Sequence, residues 1–417
     1  MKEKFIKSSI ILIIGGFITK VLGMSSKIIM TRSIDSESMA LYMLILPTFS
    51  LLINLASFGL PTALSKLIAE DDKNNKKLLF SVLPFSMFIN IFLIFLIILF
   101  APILSNYLLK ESRLYYAIIS IALVIPFGKE KMLPHVISNI VEDLVRILLM
   151  VVGLPFFMEN QEFTVCYLIL CNIISELISI VVLFFFLPKG FRLRKRDIVP
   201  SKIYLKDSLD IGLPTTINRV IGSFTYFLEP IILTHALLYV GYSKNYILTE
   251  YGIISGYVMP ILLLPSFFSN AISQALLPIV SKNFKNKNYK YTKKVIKQAI
   301  FLSISIGFIF TCFFLLRPQL MLKLIYNTSE GANYLKFLAP ICLLQYIASP
   351  LILSLDAMGK SKDNLKITLI TSILRTFLLP FFALFKIGIW ALLFSLSINI
   401  LVDVLLSFRR VKKAFCS

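Results

Sequence analysis

Histidine is nearly missing from this chain: His135 and His235 are the only two among 417 residues, and they lie far apart. No histidine pair is therefore available to hold a metal, and none is expected. Cysteine is scarce as well. Cys166, Cys171, Cys312, Cys342 and Cys416 are odd in number and lack metal-ligand spacing, and most sit in apolar runs. There a thiol packs as a small hydrophobe, so a disulfide framework is not expected. No glycine-rich phosphate loop is present, so no nucleotide-driven motor and no cofactor are expected. Acids are outnumbered, 22 against 43 lysines and arginines. The densest acidic run, Glu70-Asp71-Asp72, is ringed by lysines and is expected to be a solvated loop. Finally, no polar stretch is long enough to hold a soluble domain.

What the chain does have is apolar length. It is 57% hydrophobic, against about 45–50% in soluble domains, and its mean hydropathy is +0.84. Apolar runs of about 20 residues, enough to cross a hydrocarbon core of roughly 30 Å, recur throughout. Twelve spans are predicted: Ser8–Met30, Met39–Leu64, Leu78–Leu104, Leu114–Phe127, Val136–Met158, Phe163–Leu187, Leu209–Leu238, Tyr251–Val280, Ala299–Leu316, Tyr334–Met358, Leu365–Phe385 and Ile387–Phe408. The start, Met1-Lys2-Glu3-Lys4-Phe5-Ile6-Lys7, resembles a signal peptide. The apolar run behind it continues without a small-residue cleavage site, so it reads as a retained first span. The fold class expected is an all-α polytopic membrane protein.

The net charge of +21 would suit a nucleic-acid binder, but its distribution argues against one. Thirty of the lysines and arginines fall in alternate loops on one side. Only Arg32, Lys110, Arg113, Lys244, Arg317, Lys323 and Lys386 fall on the other. The positive-inside rule then places both termini in the cytoplasm, with the chain in the cell membrane. The basic loops are expected to face anionic lipid headgroups, and no nucleic-acid partner is expected.

The two halves of the chain resemble each other. Ile18-Thr19-Lys20-Val21-Leu22-Gly23 in the first span matches Ile217-Asn218-Arg219-Val220-Ile221-Gly222 in the seventh. Thr62-Ala63-Leu64-Ser65-Lys66 has its counterpart in Gln274-Ala275-Leu276-Leu277-Pro278. Gly128-Lys129-Glu130-Lys131 with Arg146 after it corresponds to Gly359-Lys360-Ser361-Lys362 with Arg375 after it. Six spans per half restore the starting side, so the halves are expected to be parallel repeats around a central cavity, an alternating-access architecture. The domains expected are an N-terminal lobe, 1–187, a basic linker, 188–206, and a C-terminal lobe, 207–417. Between Tyr115 and Gly128 the first half has only about half the residues that the second has between Tyr334 and Gly359. The fourth span should therefore be short, roughly 20 Å.

Ionisable groups at membrane depth are costly and usually face a cavity or a partner. Lys20, Arg146, Arg219 and Arg375 all fall near mid-membrane, and Lys27 shares a face with Lys20. Glu142 and Arg146 are spaced to pair on one helix, and Glu176 could also reach Arg146, which would make these three a structural bridge. Lys20, Lys27 and Arg219 have no acid within reach on their own helices. They are the candidate substrate-binding cations, suited to an anionic cargo such as a phosphate headgroup. Prolines inside spans, among them Pro47, Pro260, Pro265 and Pro350, are expected to kink or gate their helices.

Several segments resemble the stage V sporulation protein B and polysaccharide flippase family. They are Gly59-Leu60-Pro61-Thr62-Ala63-Leu64-Ser65-Lys66-Leu67-Ile68-Ala69-Glu70 with Leu41-Tyr42 before it, Gly252-Ile253-Ile254-Ser255-Gly256-Tyr257, Leu262-Leu263-Leu264-Pro265-Ser266-Phe267, Glu330-Gly331-Ala332-Asn333-Tyr334-Leu335 and Ala339-Pro340. The resemblance covers nearly the whole chain. It implies the multidrug/oligosaccharidyl-lipid/polysaccharide exporter superfamily and, as cargo, an undecaprenyl-pyrophosphate-linked saccharide. The implied use is spore cortex or cell envelope. The alternative is a cation-coupled multidrug exporter of the same superfamily, which would want an unpaired cavity acid where the first span offers Lys20. A membrane-bound transferase would need an acid or histidine cluster in a loop, and none is found.

Overall fold

The computed structural model describes residues 2–60, 63–64, 67, 75–124, 135–185 and 199–415. Of the first helix, side chains are described from Ile18 onward. Among the described residues fifteen α-helices are delimited: α1 Lys2–Ser33, α2 Ser36–Ser57, α3 Asn75–Pro102, α4 Tyr115–Val124, α5 His135–Gly153, α6 Gln161–Phe185, α7 Lys202–Val240, α8 Lys244–Ile253, α9 Met259–Leu263, α10 Ser266–Lys285, α11 Tyr289–Leu316, α12 Pro318–Tyr326, α13 Ala332–Ala357, α14 Ser361–Ala383 and α15 Trp390–Ala414. Among the described residues nine segments are long and apolar enough to cross a membrane. The predicted first, fourth and fifth spans are not among them. The first lacks described side chains over half its length, and α4 has ten residues. The fifth, α5, has 19 residues and carries Glu142, Asp143 and Arg146. The inner end of the predicted short fourth span, and most of the predicted 188–206 linker, lie outside the described residues.

The exposed faces belong in lipid. On α3, Phe88, Ile91 and Phe95 are each more than half exposed, and Phe377 on α14 is 71% exposed. A water-soluble surface rarely sustains apolar patches of that extent.

Two predicted helices are broken. The second was expected to run to Leu64, but α2 ends at Ser57, where Phe58 and Gly59 take positive φ values of 46° and 59°. A left-handed pair of this kind terminates a helix, and Gly59 accepts it without a Cβ clash. The eighth was expected to be continuous from Tyr251 to Val280. Instead α8 passes through a π-turn at Ile254–Val258 into α9, and a new helix, α10, starts after Pro265. Pro260 opens α9 and has no N–H to donate backwards, so the widened turn sits where the α-helical ladder would lose a bond.

The chain divides into two compact units, residues 1–223 and 224–417. In the first, α5 packs between α1 and α6, and α4 lies against α3 and α6. Gly153 at the end of α5 lets Tyr167 of α6 come close enough for its hydroxyl to donate to the Leu149 carbonyl at 2.8 Å. Lower on the same interface Ser138 donates to the Ser179 carbonyl at 2.8 Å.

In the second unit α13 is the hub, contacted by α10, α11 and α15, with α14 against α15. Leu276, Val280, Ile296, Leu351 and Leu355 form a buried cluster where these helices converge. Tyr346 of α13 lies over Gly307 of α11 and donates to the Leu262 carbonyl at 2.6 Å. At the opposite end Trp390 meets Tyr334 and Phe337 edge-on, at 5.4 and 5.3 Å. The Tyr242 hydroxyl donates to the Lys386 carbonyl at 2.5 Å. Such an aromatic belt suits a membrane–water boundary.

Candidate functional site

The charged residues singled out in the sequence lie on α1, α5, α6, α7 and α14. Lys20 is exposed and Lys27 half-buried on α1, seven residues apart and so on one face. Among the described residues neither side chain has an ion-pair or hydrogen-bond partner, and α1 contains no acid after Glu3. Arg219 is half-buried on α7, and Glu176 half-buried on α6.

Arg146 occupies the middle of the first unit. Its guanidinium donates to Glu142 at 2.6 Å and to Asp143 at 3.1 Å, one turn back on the same helix. The i,i+4 spacing predicted the first contact; Asp143, at i,i+3, adds the second. All three side chains are largely buried, with Arg146 19% exposed. Tyr42 of α2 and Cys171 of α6 are near enough to feel the guanidinium charge. Two carboxylates against one guanidinium leave the trio one negative charge in excess if both are ionised.

The second unit solves the same problem differently. Arg375 of α14 forms an ion pair with Glu229 of α7, whose side chain is only 6% exposed. Tyr251 of α8, fully buried just before the π-turn, lies in the field of this pair and of Tyr226 on α7. Here the charges balance one to one, and the bond joins two helices. This partner was missed in the sequence, where Glu229 stands without a basic residue at helical spacing.

Comparison with known proteins puts these clusters in context. The chain matches the family described as "Polysaccharide biosynthesis protein" over residues 5–284, and it is 30% identical to stage V sporulation protein B of Bacillus subtilis over 90% of this chain and 77% of that one. The chain belongs to the polysaccharide biosynthesis protein family. A second description, MatE, matches residues 223–381. The lipid II flippase MurJ of Bacillus subtilis is 22% identical, with 82% of this chain and 71% of MurJ covered. Among solved structures, the inward-facing conformation of a multidrug resistance MATE family transporter of the MOP superfamily superposes with a TM-score of 0.76. It has 15% sequence identity and covers 95% of this chain and 94% of that one. This polysaccharide biosynthesis family member is thus a multi-span membrane protein of MATE-like fold.

The family member also carries a polar knot at one end of its first unit. Arg113 donates to Glu111 at 2.8 Å, to Glu37 at 2.5 Å and to Gln161 at 2.6 Å. Gln161 in turn donates to Glu37 at 2.7 Å. Glu111 is buried at 2% exposure and, with Glu37, holds the Arg113 guanidinium more firmly protonated than usual. The knot ties the start of α2, the turn before α4 and the start of α6. Nothing in the local spacing of Glu37 and Gln161 announces it, because the partners are distant in sequence.

Proposed function

We propose that this transporter flips a saccharide linked through a diphosphate to a long polyprenyl lipid, by alternating access between two six-span halves, 1–187 and 207–417, joined by the 188–206 linker. Lys20 and Arg219, at matching places in the internal repeat, are the cargo-binding cations, and Lys27 is the next stop along α1. The observation that carries this is the first helix itself: two lysines at depth, unneutralised by any acid after Glu3, in a family whose members include stage V sporulation protein B and to which the lipid II flippase MurJ is related. A cation at that depth is tolerable beside water or an anion. A diphosphate supplies the anion, gripped by the planar fork of Arg219 and the point charge of Lys20. Both termini face the cytoplasm of the cell membrane, from the thirty-to-seven distribution of basic residues.

Reconstitution into liposomes with a labelled lipid-linked precursor, and separately with a cationic dye, tests the assignment. Precursor flipping without dye transport is the expected result. Lys20→Gln and Arg219→Gln should each weaken cargo binding by about 1.5–3 kcal/mol while insertion is unchanged, and Lys20→Arg should be milder. Parental flipping rates in both Gln variants would exclude these residues from the site.

A second reading is favoured by one observation. The carboxylates of Glu142 and Asp143, clustered with Arg146 on α5, are the kind of group that binds a cationic drug or coupling ion. Dye transport abolished by Glu142→Gln would establish it.

A further inference from the structure

The start of α11 carries Lys290, Lys293, Lys294 and Lys297, spaced three, four and seven residues apart and so on one helix face. All four are exposed. No acid occurs anywhere between Glu250 and Glu330, and among the described residues none of the four has an ion-pair partner. Lys293 leans aside, its ammonium 5.0 Å from the centre of the Phe415 ring. The four line an open groove of about 950 Å³ along α11, continued on the same helix by Gln298, Phe301 and Leu302. One turn separates the last lysine from Phe301. Beyond it Phe308 and Ile309, seven residues further on, continue the same two stripes and are 57% and 58% exposed.

The groove is therefore amphiphilic along its length: cations at one end, which forms its mouth, and aromatic and aliphatic surface, its floor, in the turns that follow on the same helix. A soluble polyphosphate would match the mouth and waste the floor, and a neutral lipid would match only the floor. The mouth offers lysines and Gln298, with no array of donors and acceptors to read sugar hydroxyls. With the orientation proposed above, the mouth lies at the cytoplasmic leaflet, where anionic lipid is enriched and each nearby lysine adds about fivefold in affinity.

We propose that this groove is a specific binding site for one anionic phospholipid, its phosphate held by Lys290, Lys294 and Lys297 and an acyl chain laid along Phe301, Leu302 and Phe308. This goes beyond a general attraction of basic loops to the membrane, because it names one helix face and one bound molecule. Lys293, committed to Phe415, ties the C-terminal end of α15 to the rim of the site.

The test uses the purified full chain in detergent. Native mass spectrometry counts retained phosphatidylglycerol, and thermal unfolding follows its addition, with phosphatidylcholine as the neutral control. The parent should retain one phosphatidylglycerol and unfold at higher temperature in its presence, and phosphatidylcholine should do neither. Lys290→Gln/Lys294→Gln/Lys297→Gln should lower the affinity on the order of a hundredfold, and the corresponding triple Lys→Arg variant should restore it. Raising the salt should weaken retention by the parent, an arm that needs no variant. Equal retention by parent and Gln variant, or retention of phosphatidylcholine as strongly as phosphatidylglycerol, overturns the proposal. So does preference for a polyprenyl diphosphate over phosphatidylglycerol, which would assign the groove to the cargo. Flipping assays in liposomes of fixed composition stand apart from these readouts, so failure of the proposed transport function leaves the lipid site to be judged on its own.

Discussion

Arg146 in the first unit and Arg375 in the second follow matching Gly-Lys motifs in the sequence, yet they are neutralised in opposite ways. Arg146 finds both acids on its own helix. These two bonds lie within α5 and hold wherever the helix sits against its neighbours. Arg375 finds its acid on α7, so its bond is a cross-brace between α7 and α14. Equal charges at equivalent places therefore give one unit a self-contained dipole and the other a staple. A repeat conserves the position of a cation more readily than the direction from which its counter-charge arrives.

The strongest way to break this comparison is to remove one member of the staple. Arg375→Gln leaves Glu229 buried without its counter-charge and should destabilise the protein by about 3–5 kcal/mol, read as a loss of thermal stability in detergent. Replacing both, Glu229→Gln with Arg375→Gln, should recover much of that loss. If the double variant is as unstable as the single, the pair is not the brace inferred here.

The paired glycines sharpen the contrast at the next level. A Cβ at Gly307 would lie 2.3 Å from the mid-ring carbon of Tyr346, which is fully buried and cannot swing away. Gly307→Ala should cost about 1–3 kcal/mol as overpacking. At Gly153 the nearest atom is the Tyr167 hydroxyl, the far end of a side chain. Gly153→Ala should cost less, with loss of the bond to Leu149, about 0.5–1.5 kcal/mol. Thermal unfolding of the two variants side by side reads the order.

Arg146→Gln should come third. Both carboxylates left behind are partly exposed, so a loss of about 1–3 kcal/mol is expected, read as a lower thermal unfolding temperature in detergent. A loss as large as that of Arg375→Gln would mean that this cluster braces helices as the other pair does. The smallest effect belongs to two loop residues, Lys110 and Lys386, which both take positive φ, 56° and 58°. Lys110→Gly and Lys386→Gly relieve a left-handed residue and should change stability by less than about 1 kcal/mol, upward.

Every one of the twelve apolar segments read from the sequence contains helix, because apolar length leaves the backbone few other ways to satisfy its hydrogen bonds in lipid. The breaks were harder. Gly59 and Pro61 signal a stop after Ser57, and Pro260 and Pro265 signal an interruption, but proline inside a span is tolerated often enough that pattern alone does not place the break. The site divides along the same line. Glu142 with Arg146 was legible because a helix fixes the meaning of four residues' separation. Glu229 with Arg375, and Glu37 with Arg113, were not, since a fold must first bring their helices side by side.

α7 is 39 residues long, about 58 Å of continuous helix, nearly twice the roughly 30 Å of a hydrocarbon core. Its first turns carry Lys202, Lys206, Asp207 and Asp210, so that end of the helix stands clear of the apolar layer. The helix is thus a lever with one arm in lipid and one outside it. A tilt of about 10° about its middle moves the Lys202 end by about 5 Å. A modest rocking of the embedded part therefore arrives at that end as a displacement about the width of a side chain.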